Sequence, residues 1–167
     1  SSRSVAPAIS GDGRFVAFAT TANNLVPGDT NGLQDVFVVD TQTGAVTRAS
    51  VSTSGAQGDR DSPIGQGERL SLSADGTWVA FSSTANNLGV TTTTTGLGNA
   101  FLHNNVTGET RALTNNTTCC SVGPVSLSRE ARYVAFGSSA SLDPRFSGSG
   151  QFAAFTNLGF AFFWITQ

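Results

Sequence analysis

Apolar residues along the chain come in short runs, not in the spacing of a helix face. Ala8-Ile9-Ser10-Gly11-Asp12-Gly13-Arg14-Phe15-Val16-Ala17-Phe18 opens the first run. Ser71-Leu72-Ser73-Ala74-Asp75-Gly76-Thr77-Trp78-Val79-Ala80-Phe81 repeats it, and Ser126-Leu127-Ser128-Arg129-Glu130-Ala131-Arg132-Tyr133-Val134-Ala135-Phe136 repeats it again. The shared pattern is apolar–Ser–x–Asp–Gly–x–aromatic–Val–Ala–Phe. A second run follows each copy, over residues 33–40, 97–104 and 158–165. A third element, Thr43–Ala49, matches Thr107–Leu113 and has no counterpart after the third copy. Runs rich in Val, Phe and Ala between clusters of Gly, Asn, Asp and Thr predict strands. Asp12-Gly13 and Asp75-Gly76 predict tight hairpin turns, because glycine accepts positive φ. Glu130-Ala131 stands there in the third copy, so that turn is expected to be built differently. The runs are apolar on consecutive residues, which requires cover on both faces of each sheet.

Strands that recur with a fixed period, in small sheets covered on both sides, predict radial stacking. The segments quoted above, with the loop at 24–32 and the strand at 35–40, resemble the TolB-like, WD40-like (PD40) β-propeller repeat. The resemblance covers nearly all of residues 6–136 and, more weakly, the remainder. It implies an all-β fold of four-stranded antiparallel blades. Blade 1 is expected at 6–51, blade 2 at 69–114, and blade 3 at 124–167 with its fourth strand missing. Residues 1–5 resemble Arg48-Ala49-Ser50-Val51 and are expected to supply a strand to a neighbouring blade. The Gly- and Ser-containing connector 52–68 reads as an exposed loop. Gly148-Ser149-Gly150-Gln151-Phe152-Ala153-Ala154-Phe155 echoes the blade-opening motif and reads as an insertion within a loop.

Length and charge narrow the function. The chain has 167 residues, enough for one domain with a substantial core. Its formal net charge is -2 and it has no basic run, which argues against a nucleic-acid partner. The longest apolar stretch, 152–165, is interrupted and too short for a membrane helix, so no membrane insertion is expected. The chain begins without Met, as a processed product or fragment would.

Candidate chemistry is sparse. Asp29, Asn31 and Asp35 place three oxygen donors in a Gly-containing loop, where calcium and a hydrogen-bonded turn are both open readings. Adjacent Cys119 and Cys120 do not have zinc spacing; a vicinal disulfide, interchain bonds and free thiols all remain open. Thr91, Thr92, Thr93, Thr94 and Thr95 form a run that would accept O-glycans in an extracellular loop. Asn105, Asn115 and Asn116 each open an N-glycosylation triplet. His103 is the sole histidine and reads as structural, because no G-x-S-x-G elbow supplies a nucleophile. Asp59, Asp61 and Glu68 read as a solvated cluster in the connector.

These features predict a non-catalytic, exported β-propeller that serves as a structural or protein-interaction module. No cofactor is required, with Ca2+ the one candidate. The expected location is extracellular or cell-surface, with the periplasm as the alternative. The expected partner is a second copy, docked head to tail in a ring or filament, or the rest of a longer propeller chain. The other readings are the accessory propeller of an exported hydrolase and a calcium-dependent carbohydrate- or protein-binding module.

Overall fold

The structure is a computed structural model that describes residues 4–63, 69–90, 98–114, 122–138, 152–155 and 160–164. Among the described residues, twelve strands form three four-stranded sheets. In the first sheet, β1 (Ser4–Ile9), β2 (Phe15–Thr20), β3 (Asp35–Asp40) and β4 (Val46–Arg48) lie side by side in chain order. The second repeats the order with β5 (Ser71–Leu72), β6 (Trp78–Ser83), β7 (Asn99–Asn104) and β8 (Thr110–Ala112). All neighbouring strands are antiparallel.

The third sheet departs from this order. It comprises β9 (Val122–Leu127), β10 (Tyr133–Ser138), β11 (Phe152–Phe155) and β12 (Phe160–Trp164). Their lateral order is β9, β10, β12, β11. Blade 3 therefore does not lack a fourth strand. The edge filled by β4 and β8 in the other blades is taken by β11, paired Phe152 to Phe163 and Phe155 to Phe160. Phe152–Phe155, the described part of the segment expected to be a loop insertion, is thus a strand.

The N-terminal expectation is also corrected. Ser4 and Val5 pair with Thr20 and Ala19 of the same blade and are not donated to a neighbour. A bulge between Val5 and Ala8 keeps β1 in register, with Ala6 at φ +53° ahead of Pro7. Proline has no N–H to give, and a bulged edge strand is where it is tolerated.

Two apolar layers hold the sheets together. In the first, Ala17, Ala19, Val36 and Val38 of blade 1 meet Val79, Phe81 and Phe101 of blade 2. In the second, Ala80, Ala100 and Leu102 of blade 2 meet Val125, Val134 and Phe136 of blade 3. At both junctions the earlier blade thus offers alanine from its second strand, and the later blade offers a Val–Phe pair from its own. The strand period of two separates the two sets. This division explains the consecutive apolar residues, since both faces of blade 2 are buried.

Candidate functional site

The Ser–x–Asp–Gly turns are built almost identically. In blade 1, Ser10 Oγ donates to Asp12 Oδ1 (2.6 Å) and accepts from the Phe15 amide (2.9 Å), while the Arg14 amide donates to Asp12 (3.0 Å). Ser73, Asp75, Thr77 and Trp78 reproduce these bonds in blade 2. The hydrogen bond from Ser10 holds the Asp12 carboxyl below its ordinary range. Blade 3 keeps the turn despite its different sequence. The Tyr133 amide donates to Ser128 Oγ, and the Ala131 amide to the Ser128 carbonyl, both at 2.9 Å. Ala131 takes the glycine position at φ +52°, a left-handed conformation that costs a non-glycine residue about 1–2 kcal/mol.

Successive turns are joined. The Gly11 amide donates to the Ala74 carbonyl (2.9 Å), and the Ala74 amide donates to the Arg129 carbonyl (2.7 Å). The approach at Gly11 is close, since a Cβ there would sit 3.0 Å from Ala74 Cβ. Gly76 is required: a Cβ there would lie 2.1 Å from the Phe15 ring. The leading aromatic of blade 1 is thus packed under the turn of blade 2.

The structure brings Asp29, Asn31 and Asp35 together, but around a resident cation. Arg48, on β4, places one terminal nitrogen 3.2 Å from Asp29 Oδ1 and 3.6 Å from Asp35 Oδ2. Asn31 Oδ1 accepts from the Leu33 amide, so its Nδ2 donates to Asp35 Oδ2 (2.9 Å) and to the Gly58 carbonyl (3.1 Å). The remaining Asp35 oxygen accepts from Ser50 Oγ. Burial raises the Asp35 carboxyl, while the Ser50 and Asn31 hydrogen bonds and the Arg48 charge act in the opposite direction. A calcium shell needs oxygen donors directed inward. Here an amide N–H and a guanidinium point at those oxygens, so the donor set does not fit the ion. Blade 2 carries an uncharged version, in which Thr114 Oγ1 donates to Asn99 Oδ1 (2.9 Å).

The connector is a stitch between blades. Asp59 Oδ1 accepts from the Asn86 amide (2.8 Å), and Asp61 Oδ1 from the Gln34 amide (2.9 Å). Buried Ser62 bonds Ser83 Oγ (2.7 Å), with a cis peptide linking it to Pro63. Asp59 and Asp61 are exposed, as the solvated-loop reading expects, and each in addition caps a backbone amide. Arg48 and Gln57, joined at 3.0 Å, were missed by the sequence reading. Arg48 lies in the third repeated element, but nothing in that element marks it as the partner of the 29–35 loop, and Gln57 lies in the connector.

His103 lies on β7 and is buried at the contact between blades 1 and 2. Thr110 Oγ1 donates to the Val51 carbonyl, so His103 Nδ1–H donates to Thr110 Oγ1 (2.8 Å). Burial lowers its pKa to about 4. Asn105 Nδ2, the atom an N-glycan would occupy, donates to the Gly76 carbonyl (2.7 Å). Arg14 forms a two-pronged ion pair with Asp40 (2.7 and 3.1 Å), which holds that carboxyl well below its ordinary range. Cys119, Cys120, Thr91, Thr92, Thr93, Thr94, Thr95, Asn115, Asn116 and Glu68 lie outside the described residues. Among the described residues there is no group of three or more His, Cys, Asp or Glu arranged to hold a metal ion.

No protein-family model matches the chain, and no curated protein matches it in sequence. Solved structures do match its fold. TolB from Acinetobacter baumannii aligns at TM-score 0.50 and 15% identity, over 84% of this chain and 28% of that one. The tricorn protease aligns at TM-score 0.52 and 16% identity, over 86% of this chain and 12% of that one. An acylaminoacyl peptidase from Pyrococcus horikoshii aligns at TM-score 0.50 and 14% identity, over 95% of this chain and 21% of that one. The chain thus spans between about an eighth and about a quarter of their lengths. At these identities the likeness is one of fold, and the fold is that of a TolB-like β-propeller.

Proposed function

We propose that the chain is a non-catalytic propeller module that acts by binding other protein surfaces, outside the cytoplasm. One observation carries this reading: its polar chemistry is spent on architecture. Asp12 and Asp75 fasten turns, Asp40 pairs with Arg14, and Asp29 and Asp35 surround Arg48. Asp59 and Asp61 cap amides across a blade junction, and His103 closes the same junction. None of these groups is left aimed into a cleft beside a nucleophile, as acid–base or covalent catalysis requires. The test is a panel of fluorogenic peptides, esters and glycosides. No turnover above solvent is expected. Turnover that falls with His103→Ala would overturn the reading.

A second reading has its own support. Two of the similar structures are named as a protease and a peptidase, and this chain matches only a small share of each. The segment would then be the accessory propeller of an exported hydrolase. Sequencing the full reading frame discriminates: a hydrolase domain in the same frame favours this second reading. Export is part of both, and cell fractionation with an antibody to residues 40–60 checks it.

A further inference from the structure

Asn31-Gly32 is the one Asn-Gly pair in the chain, and it stands where the 29–35 loop meets the connector. The pair is reactive in itself. The backbone nitrogen that follows an asparagine can attack the side-chain carbonyl carbon, and glycine puts no Cβ in its path. Gly32 is exposed, with nothing within 4 Å of a Cβ built on it, so this backbone is open to water. Three hydrogen bonds oppose the reaction. Asn31 Nδ2 gives one hydrogen to Asp35 Oδ2 (2.9 Å) and one to the Gly58 carbonyl (3.1 Å), while Oδ1 accepts from the Leu33 amide (3.0 Å). Attack makes Cγ tetrahedral and expels Nδ2, so these bonds must break first. The neighbouring Thr30 is tied to the connector as well. Its amide donates to Gln57 Oε1 (3.3 Å), and its hydroxyl accepts from Gln57 Nε2 (2.8 Å).

We propose that Asn31 is a modification site guarded by the fold: it deamidates when the 29–35 loop parts from the connector, and the product keeps the two apart. On opening, the Gly32 nitrogen bonds to Asn31 Cγ and gives its proton to the departing amide, which leaves as ammonia. One water then opens the resulting succinimide at either carbonyl, giving aspartate or isoaspartate at position 31. In the aspartate product an oxygen replaces Nδ2. Both donated hydrogens are lost, and the new oxygen faces two acceptors, Asp35 Oδ2 and the Gly58 carbonyl. Arg48, already shared between Asp29 and Asp35, then has a third carboxylate to neutralise. The Asp29 and Asp35 side chains are buried, so water screens little of this repulsion. Isoaspartate in addition adds a methylene to the backbone where the turn closes onto the Leu33 amide. Either product detaches the loop from Gln57 and Gly58 of the connector.

Peptide mapping by mass spectrometry of the 167-residue chain, held at neutral pH either folded or in guanidinium chloride, tests the guard. The unfolded chain should convert at Asn31 to a mixture of aspartate and isoaspartate, while Asn87 and Asn105, followed by Leu88 and Val106, stay intact over the same interval. The folded chain should convert at Asn31 at least about tenfold more slowly, because the reaction waits on local opening. Gln57→Ala, which frees Thr30 from the connector, should raise the folded rate severalfold with unchanged circular dichroism. Asn31→Asp, which copies one product, should exchange amide hydrogens faster than wild type over residues 29–35 and 57–61, with β7 protected as before. Equal folded and unfolded rates overturn the proposal, as does an Asn31 that converts no faster than Asn87 in denaturant. A Gln57→Ala chain that converts like wild type also overturns it, as does an Asn31→Asp chain with wild-type exchange. The wild-type rates decide the matter even where Asn31→Asp fails to fold.

Discussion

Gly76 and Ala131 occupy the same place in successive turns but answer different constraints. Gly76 combines φ +70° with the Phe15 ring against its Cα, whereas Gly13 has the same twist in open space. Gly76→Ala should therefore cost about 2–4 kcal/mol, from backbone strain plus overpacking. Gly13→Ala should cost only the strain of about 1–2 kcal/mol. Urea denaturation of the two variants gives the difference directly, and equal losses would show that Phe15 does not press on the turn. Ala131 already carries the strain, so Ala131→Gly should stabilise by up to about 1 kcal/mol, the entropy of glycine offsetting part of the relief. The sequence expectation that Glu130-Ala131 needs a different turn holds for the carboxylate bonds of Asp12 and Asp75, which Glu130 does not make among the described residues, but not for the backbone. Ser128 accepts from the Tyr133 and Ala131 amides as Ser10 and Ser73 accept from theirs, and these bonds outweigh the preference of one residue for negative φ.

Strands β3, β4 and β7 carry Asp35, Arg48 and His103, and their chemistry sets two measurable responses. Arg48 on β4 neutralises Asp29 and Asp35, whose side chains are 3% and 0% exposed. Arg48→Ala should lower stability by about 3–5 kcal/mol, because it leaves paired carboxylates buried without a cation. Calcium added to the wild type should leave hydrogen exchange over residues 26–36 unchanged; increased protection would reinstate a metal site. The trio was visible in the sequence as an acidic loop, but the cation was not, since Arg48 lies 13 residues beyond Asp35. Only pairing of β3 with β4 brings it back. On β7, burial depresses the His103 pKa from 6.5 to about 4. The unfolded chain therefore binds this proton more readily than the folded one. The contribution is fully present above pH 6.5 and is lost as pH falls toward 4, at up to about 1.4 kcal/mol per pH unit. His103→Val, which copies Val39 of blade 1, should remove that slope from urea-derived stabilities between pH 4 and 6.5. An unchanged slope would place the titration elsewhere.

At the scale of the molecule, stacking makes the blades one unit, and much of this was legible. The repeated motif located β2, β6 and β10 together with their turns, and consecutive apolar residues indicated sheets buried on both faces. Strand exchange in blade 3 was hidden, because Phe152–Phe155 resembles an inner strand yet pairs at the outer edge of β12. Edge position is decided by which neighbour offers free backbone, and a local pattern does not record that. The same limit hid the bulge that keeps Ser4 and Val5 within blade 1. The central claim is that one junction geometry repeats along the stack, and amide hydrogen exchange by NMR tests it most directly. Gly11 lies on the surface, so its amide is slow to exchange only if blade 2 accepts its hydrogen bond. Strong protection of the Gly11 and Ala74 amides is the predicted result. Rapid exchange at Gly11 and Ala74 in a folded chain would contradict it.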